Sequence, residues 1–246
     1  MAVTVHFLGA GDAFSAGGGL HAGYLVRSSA ATFLLDCGAT ALAALKRDRL
    51  EAAEIDLILL SHLHGDHFAG LPYLLLEYTY ERPRQRPLRI AGPPGTSDRV
   101  GALLRATYSE FAQRPLPFAL EFTEFTPGVP KVIEGVWVEP LRVPHQEREL
   151  SLALRLRVDH KVILYSGDTG WTEDLVAWSQ GVDLFVCECS FYETRVDFHL
   201  DYPRLADNRD RFGARRLILT HLGREVLARR AQLAIEIAHE GLVVEV

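Results

Sequence analysis

"SHLHGDHFAG", residues 61–70, sets three histidines and an aspartate within six consecutive positions, His62 to His67, directly after the apolar run "IDLILL". Imidazole and carboxylate groups gathered this densely are costly unless positive charge sits among them. His62 and His64 are two apart just beyond a strand, so alternation puts both side chains on one side. Gly65 is expected to let the chain bend, which turns Asp66 and His67 towards a second point close by. Nitrogen and oxygen donors of this kind suit zinc, with manganese or iron as alternatives. A helix start with polar caps and surface histidines accounts for any one of these residues. It does not account for the combination.

Three more polar residues stand just past apolar strands: His145 after "PLRVP", Asp168 after "KVILYSG" and His221 after "RRLILT". Sheets with parallel strands place their sites at such strand ends. Taken singly, each reads as a cap or a loop residue. Together with the first cluster they give five histidines and two aspartates. That set is enough for two divalent cations, each with three ligands of its own and one carboxylate between them.

The rest of the chain supplies a frame for such a site. Strands are expected at "VTVHFLG", "GYLVRS", "TFLLDCG", "LRIAG", "KVIEGVWVEPLRV", "DLFVCEC" and "LVVEV", and a hairpin turning at Asp159–His160 joins "SLALRLRV" to "KVILYSG". Helices are expected at "ATALAALKRDRL", "FAGLPYLLLEYTY", "TSDRVGALLRATYSEFA", Thr172–Ser179, Tyr202–Phe212 and Glu225–Glu240. No Pro/Ser/Gly linker divides the 246 residues, which read as one domain, 1–246, of two sheets flanked by helices.

Lys plus Arg number 26 against 32 Asp plus Glu, a net charge of −6. That balance argues against a general nucleic-acid binder, and duplex binding is not expected. Arg82, Arg84, Arg86 and Arg89 form the one basic cluster, read either as a solvated loop or as a rim attracting an anionic substrate. Cys37, Cys187 and Cys189 are too few for a disulfide framework. Cys187 and Cys189 share one face of a strand and read as buried thiols, with an accessory metal or redox role as the alternative. Neither a signal peptide nor a membrane-spanning run is visible, so a cytoplasmic enzyme is the expectation.

"HLHGDH", an isolated histidine, "SGDT" and "THL", in that order, resemble the metallo-β-lactamase superfamily over nearly the whole chain. The resemblance implies an α/β fold, the four-layer αββα sandwich, with the site at one edge between the sheets. It implies that His62, His64 and His145 hold one metal, that Asp66, His67 and His221 hold the other, and that Asp168 bridges. "FLGAGDAFSAGGG" and "CECSFYETRVDFHLDY" resemble the ribonuclease Z-type and cyclic phosphodiesterase-type branch. In that branch a further histidine lies before the last ligand, in a His-Ser-Thr-like motif. His199 occupies that place here, with Glu188 as its partner, although Leu200 and Asp201 replace the Ser and Thr. Relatives often dimerise to complete the site rim, which leaves a homodimer open.

The expected activity is that of a dinuclear-metal hydrolase, a phosphodiesterase for small or single-stranded phosphodiesters. Two cations, zinc foremost, share a water and lower its pKa from 15.7 towards ~7. Asp66 accepts a proton from the attacking water, and His199, oriented by Glu188, protonates the leaving alkoxide. A glyoxalase II-like thioesterase or lactonase would use the same metals and dispense with His199. A tRNA 3′-processing endonuclease is disfavoured. The 22 residues between His145 and Asp168 are used up by a hairpin, leaving none for the arm that grips tRNA in that family. A β-lactamase proper differs around the site, and intact ligands argue against a non-enzymatic binding module.

Overall fold

A computed structural model describes residues 2–246. The chain opens with β1 (Thr4–Gly9), β2 (Gly23–Arg27) and β3 (Thr32–Leu35), then α1 (Ala41–Arg47) and β4 (Leu57–Leu59). Next come α2 (Gly65–Phe68), α3 (Leu71–Leu76), β5 (Leu88–Gly92), α4 (Thr96–Thr107) and β6 (Leu120–Glu124). A run of hairpin strands follows: β7 (Lys131–Ile133), β8 (Val136–Arg142), β9 (Leu152–Val158) and β10 (Lys161–Tyr165). The chain closes with α5 (Asp174–Trp178), β11 (Leu184–Glu188), α6 (Tyr202–Asp207), β12 (Arg216–Thr220), α7 (Arg224–Leu227), β13 (Glu236–Ile237) and β14 (Val243–Glu245).

Two seven-stranded sheets result, ordered β14-β1-β2-β3-β4-β5-β6 and β13-β12-β11-β10-β9-β8-β7. Both are mixed: β3 to β6 run parallel, as do β10 to β13, and the remaining pairs are antiparallel. Strands buried on both faces read as unbroken apolar runs, and successive residues feed different layers. Phe7 and Leu35 face the layer between the sheets, where Val138, Leu154 and Ile163 meet them. Leu8 and Leu34 turn the other way, under α1, α3 and α4. On the second sheet Leu164, Phe185 and Cys187 pack against α5, α6 and α7. Three apolar layers between four structural ones make the αββα sandwich that the motifs imply.

The structure revises several local expectations. "KVIEGVWVEPLRV" is two strands, because Glu134 and Gly135 both take positive φ (49° and 76°), the signature of a two-residue hairpin turn. The Asp159–His160 hairpin has the same geometry, as the sequence predicts. β6, which carries no strong periodic signal, pairs along β5 over five residues. The helix expected over Glu225–Glu240 stops at Leu227, and β13 pairs parallel to β12, Leu219 opposite Ile237. Leu233, Ile235 and Ile237 all pack into the layer beneath α5, α6 and α7, from a bend that leads into β13.

Three of the four clustered arginines, Arg84, Arg86 and Arg89, are engaged by the fold. Arg84 is buried, and its guanidinium donates to the carbonyls of Ile55, Ala53, Arg86 and Pro87 and to Asp56. Arg86 pairs with Asp56, and Arg89 with Glu121 and Glu134. Tyr78 is fully buried, while Tyr73 and Tyr80 reach the surface. All three cysteines are buried and free. Among the described residues no helix is long and apolar enough to cross a membrane.

Candidate metal centre

The strand ends predicted to carry chemistry do converge. β4, β8, β10 and β12 end at one edge of the sandwich and deliver His62 to His67, His145, Asp168 and His221 there. Three groups of donors form, each with its ligand atoms within 4.8 Å of one another: His62, His64, His145 and Asp168; Asp66, His67, Asp168 and His221; Glu188, His199 and His221. Asp168 belongs to both of the first two groups, the place expected of a bridging carboxylate.

Hydrogen bonds on the outer side of each ring fix which nitrogen faces inward. His67 donates through Nδ1 to Asp36 Oδ2, 2.7 Å away. The Ser61 hydroxyl and Tyr165 hydroxyl also donate to Asp36 Oδ2, at 2.7 and 2.6 Å. With its proton so used, Ser61 Oγ accepts from His62 Nδ1 at 3.0 Å. His145 Nδ1 donates to the Phe198 carbonyl at 2.8 Å. His221 Nδ1 donates to Ser190 Oγ at 2.9 Å, and Ser190 in turn donates to Glu188. In each case Nε2 is left pointing at the centre, the arrangement by which proteins orient histidine ligands.

What remains inside is a set of lone pairs facing one another. His145 Nε2 stands 3.1 Å from His64 Nδ1. His62 Nε2 lies 3.7 Å from Asp168 Oδ2, and His145 Nε2 lies 3.9 Å from the same atom. His67 Nε2 and His221 Nε2 each lie 3.2 Å from Asp66 Oδ2. Donors around one tetrahedral cation at ~2.0–2.2 Å stand ~3.3–3.6 Å apart, and these separations bracket that spacing. His62 Nε2, His67 Nε2 and Asp168 Oδ1 are buried without a hydrogen-bond partner among the described residues. Buried polar atoms left in this way need a partner. A divalent cation fits both groups.

The electrostatics divide the two groups. Burial holds the His62 and His64 imidazoles below their ordinary value, with His67 and His145 respectively acting the same way. Burial lowers His145 too, against the pull of Asp168. These three stay neutral and ready to ligate. Around His67 and His221 burial is outweighed by carboxylates, chiefly Asp168, and His221 is pushed up to about 9. Burial would raise Asp66 and Asp168, but the histidines about them hold both well below the usual carboxylate range. Without a cation this half of the centre gathers protons instead, which is the behaviour of a site built for positive charge.

Beside the centre, His199 donates through Nδ1 to Glu188 Oε1 at 2.8 Å. Glu188 is fully buried and also accepts from Thr169 N, Ser190 Oγ and Leu200 N. Burial alone would lower His199; Glu188 outweighs it and raises the imidazole above its ordinary value. The His199 ring stacks on His221, centroids 5.5 Å apart at 18°. Leu200 supplies an amide to Glu188, and Asp201 caps α6 through the amide of Arg204. Those two residues thus support Glu188 and α6 from the positions where the related motif has Ser and Thr.

Asp36, Ser61, Tyr165 and Ser190 carry no motif that marks them in the sequence. Asp36 has the signal that found Asp168, a carboxylate directly after an apolar strand. Asp36 and His221 both hold positive φ, 55° and 54°, conformations that non-glycine residues adopt at some cost. Gly65, by contrast, is an ordinary helical residue: a Cβ there would meet nothing closer than Ala69 Cβ at 4.0 Å. The change of direction is made by extended His64 (φ −78°, ψ 151°) running into α2.

A model of the family described as anti-Pycsar protein Apyc1 matches residues 3–241. A ribonuclease Z of a Mycobacterium species is 30% identical over 218 residues, 80% of this chain and 76% of that one. The metallo-β-lactamase fold protein YhfI of Bacillus subtilis superposes with a TM-score of 0.77 at 23% identity, covering 99% of both chains. Human short-form tRNase Z superposes equally well, TM-score 0.77 at 24% identity, over 98% of each chain. The fold is that of the metallo-β-lactamases, in the ribonuclease Z-like branch.

Proposed function

The chain belongs to the family of the anti-Pycsar protein Apyc1, and from that premise we propose that it is a metal-dependent phosphodiesterase acting on small or single-stranded phosphodiesters. His62, His64 and His145 would hold one divalent cation and Asp66, His67 and His221 the other, with Asp168 common to both donor groups. The all-nitrogen and oxygen donor set favours zinc. When bound, such a pair of cations supplies a water acidic enough to attack at neutral pH and offsets the charge of the phosphodiester.

The chain's own groups do the rest. Asp66, its Oδ2 already in contact with His67 and His221, is placed to take the proton of the attacking water. With Nδ1 committed to Glu188, His199 keeps Nε2 to offer a proton to the leaving oxygen. An alkoxide leaves poorly without a proton, and a positioned acid contributes typically 10²–10⁴-fold. A thioester or lactone puts less demand on such an acid. The Glu188–His199 pair stacked against the donor groups is therefore the observation that carries the phosphodiesterase reading.

The test is hydrolysis of a chromogenic phosphodiester by metal-replete protein, with Asp168→Ala as the blank. Metal-dependent turnover lost in Asp168→Ala supports the reading and leads to cyclic nucleotides and short RNA. No turnover above the blank, with two cations bound, rejects it and directs the search to thioesters and lactones.

A further inference from the structure

His199, the proposed acid, does not stand on a helix or at a strand end. β11 stops at Glu188 and α6 begins at Tyr202, and His199 lies on the irregular segment between them, pinned by the isolated bridges Phe191–Asp201 and Val196–His199. Residues 193–195, 197 and 198 are exposed, so burial does little to fix its course. Ordering such backbone costs entropy that other contacts must offset.

Glu225 supplies those contacts. Its Oε2 accepts the amides of Tyr192, Glu193 and Thr194 at 3.0, 2.7 and 3.0 Å, and its Oε1 accepts from the Thr194 hydroxyl. Successive amides turned on one point make an anion-binding hollow, filled here by the chain's own carboxylate. Arg229 adds a second grip, pairing with Glu193 and laying its guanidinium over the Tyr192 ring, 4.7 Å from the centroid. Both grips come from α7 and the residues just after it. α7 is itself seated by Val226, which is fully buried, and it follows closely on His221. The backbone that delivers His221 to the centre thus runs into the helix that holds the segment delivering His199. The two rings meet as a stack, 5.5 Å between centroids.

We propose that Glu225 is a positioning residue for proton transfer to the leaving group: from α7 it latches the 192–194 backbone and so keeps His199 in register with His221. The assignment rests on the phosphodiesterase reading, in which His199 is the acid. Glu225 touches neither the donor groups nor the reacting atoms, and it acts only through the path of the chain. Its loss is therefore felt where a proton must be delivered, as a misplacement of about 1 Å can cost about 10²-fold in such a step. A leaving group that departs without a proton is spared.

The experiment measures turnover of phosphodiesters that differ in leaving group, alkyl against nitrophenyl, by metal-loaded wild type, Glu225→Ala, His199→Ala and the double variant. The alkyl-to-nitrophenyl ratio of kcat falls about 10- to 100-fold in Glu225→Ala. Glu225→Gln, which keeps an acceptor oxygen, falls less. In His199→Ala the ratio is already lost, and adding Glu225→Ala takes no more from it, as for two residues acting through one step. A ratio that holds in Glu225→Ala overturns the latch, as does a further fall in the His199→Ala background. Should Glu225→Ala not fold, Glu225→Gln and Thr194→Val carry the same comparison. Hydrogen exchange reads the latch without turnover. The Leu200 amide, which donates to Glu188, loses protection together with the 192–194 amides in Glu225→Ala, and a loss confined to 192–194 overturns the proposal. A wild type that hydrolyses no phosphodiester, while Glu225→Ala still exposes the Leu200 amide, rejects the phosphodiesterase reading and leaves the latch standing.

Discussion

Glu188 accepts the Nδ1 proton of His199 at 2.8 Å and, through Ser190, also supports His221, so one buried carboxylate reaches both the proposed acid and a proposed ligand. Glu188 outweighs burial and raises the His199 pKa, which keeps the proton-donating form present above the ordinary imidazole range. Turnover should fall as pH rises through that raised value. Glu188→Gln removes the charge and should move the alkaline limb of the kcat/KM profile to lower pH. His199→Ala should lower kcat by about 10²–10⁴ on alkoxide-leaving phosphodiesters. An alkaline limb that stays in place in Glu188→Gln would show that the pair does not set it.

Asp36 touches no proposed cation, yet it accepts from His67, Ser61 and Tyr165 and through Ser61 steers His62. Asp36→Asn should weaken cation binding by about 10–100-fold, the usual effect of losing a partner behind a ligand. Competition with a graded chelator reads this directly, with circular dichroism to check that the fold persists. Retained affinity in a folded Asp36→Asn protein would count against the assignment.

Removing the cations should cost stability as well as activity. At a cation concentration 100 times the Kd, one site contributes about 2.7 kcal/mol to the folded state. For a chain of this length that corresponds to about 5–10 °C in Tm. Calorimetric scans with and without chelator measure it, and Asp168→Ala should show little further loss on chelation.

Gly170 is a place where no side chain fits. A Cβ there would stand 1.7 Å from the Asp197 carbonyl, and its amide donates to Pro144 at 2.6 Å. It thereby seats the segment leading to His199 against the one leading to His145. Gly170→Ala should displace both, and a shift of about 1 Å can cost about 10²-fold in rate. Crystallography of that variant would show whether Phe198 O still reaches His145 Nδ1.

Glu225 gathers the amides of Tyr192, Glu193 and Thr194 and the Thr194 hydroxyl, which hold its carboxyl down at about 2. A depressed carboxyl stabilises above its unfolded value and loses that contribution as pH falls through the folded one. The 192–194 amides should therefore stay protected from hydrogen exchange at neutral pH and lose protection as the pH drops towards about 2. Glu225→Gln should weaken that protection even at neutral pH.

How far the sequence discloses this depends on the kind of signal. His62 to His67 and Asp168 are legible because ionisable residues at the ends of apolar strands have few bland explanations, and the order of motifs sets the fold. Asp36 was equally well placed, but a lone carboxylate after "FLL" also suits an ordinary turn, and only the convergence of His67, Ser61 and Tyr165 on it reveals the difference. Ser190 lies beyond sequence reasoning, since a hydroxyl acquires its role from what stands on either side of it. "LAIEIAHE" is rich in good helix formers, so its composition favours the helix that the structure does not form there. The vacant edge of β12, which pairing with β13 fills, overrides that preference.

The division of donors between the sheets has a consequence for biosynthesis. Residues 62 to 67 leave the ribosome well before His145, Asp168 and His221, so the emerging first half carries four donors and neither complete group. A cation that met it then would lack the ligands the second sheet brings, and full affinity arrives only when the two sheets close on each other. Binding of the proposed cations would thus report a finished fold, and a chain truncated after β6, before any strand of the second sheet, should compete poorly for a divalent cation.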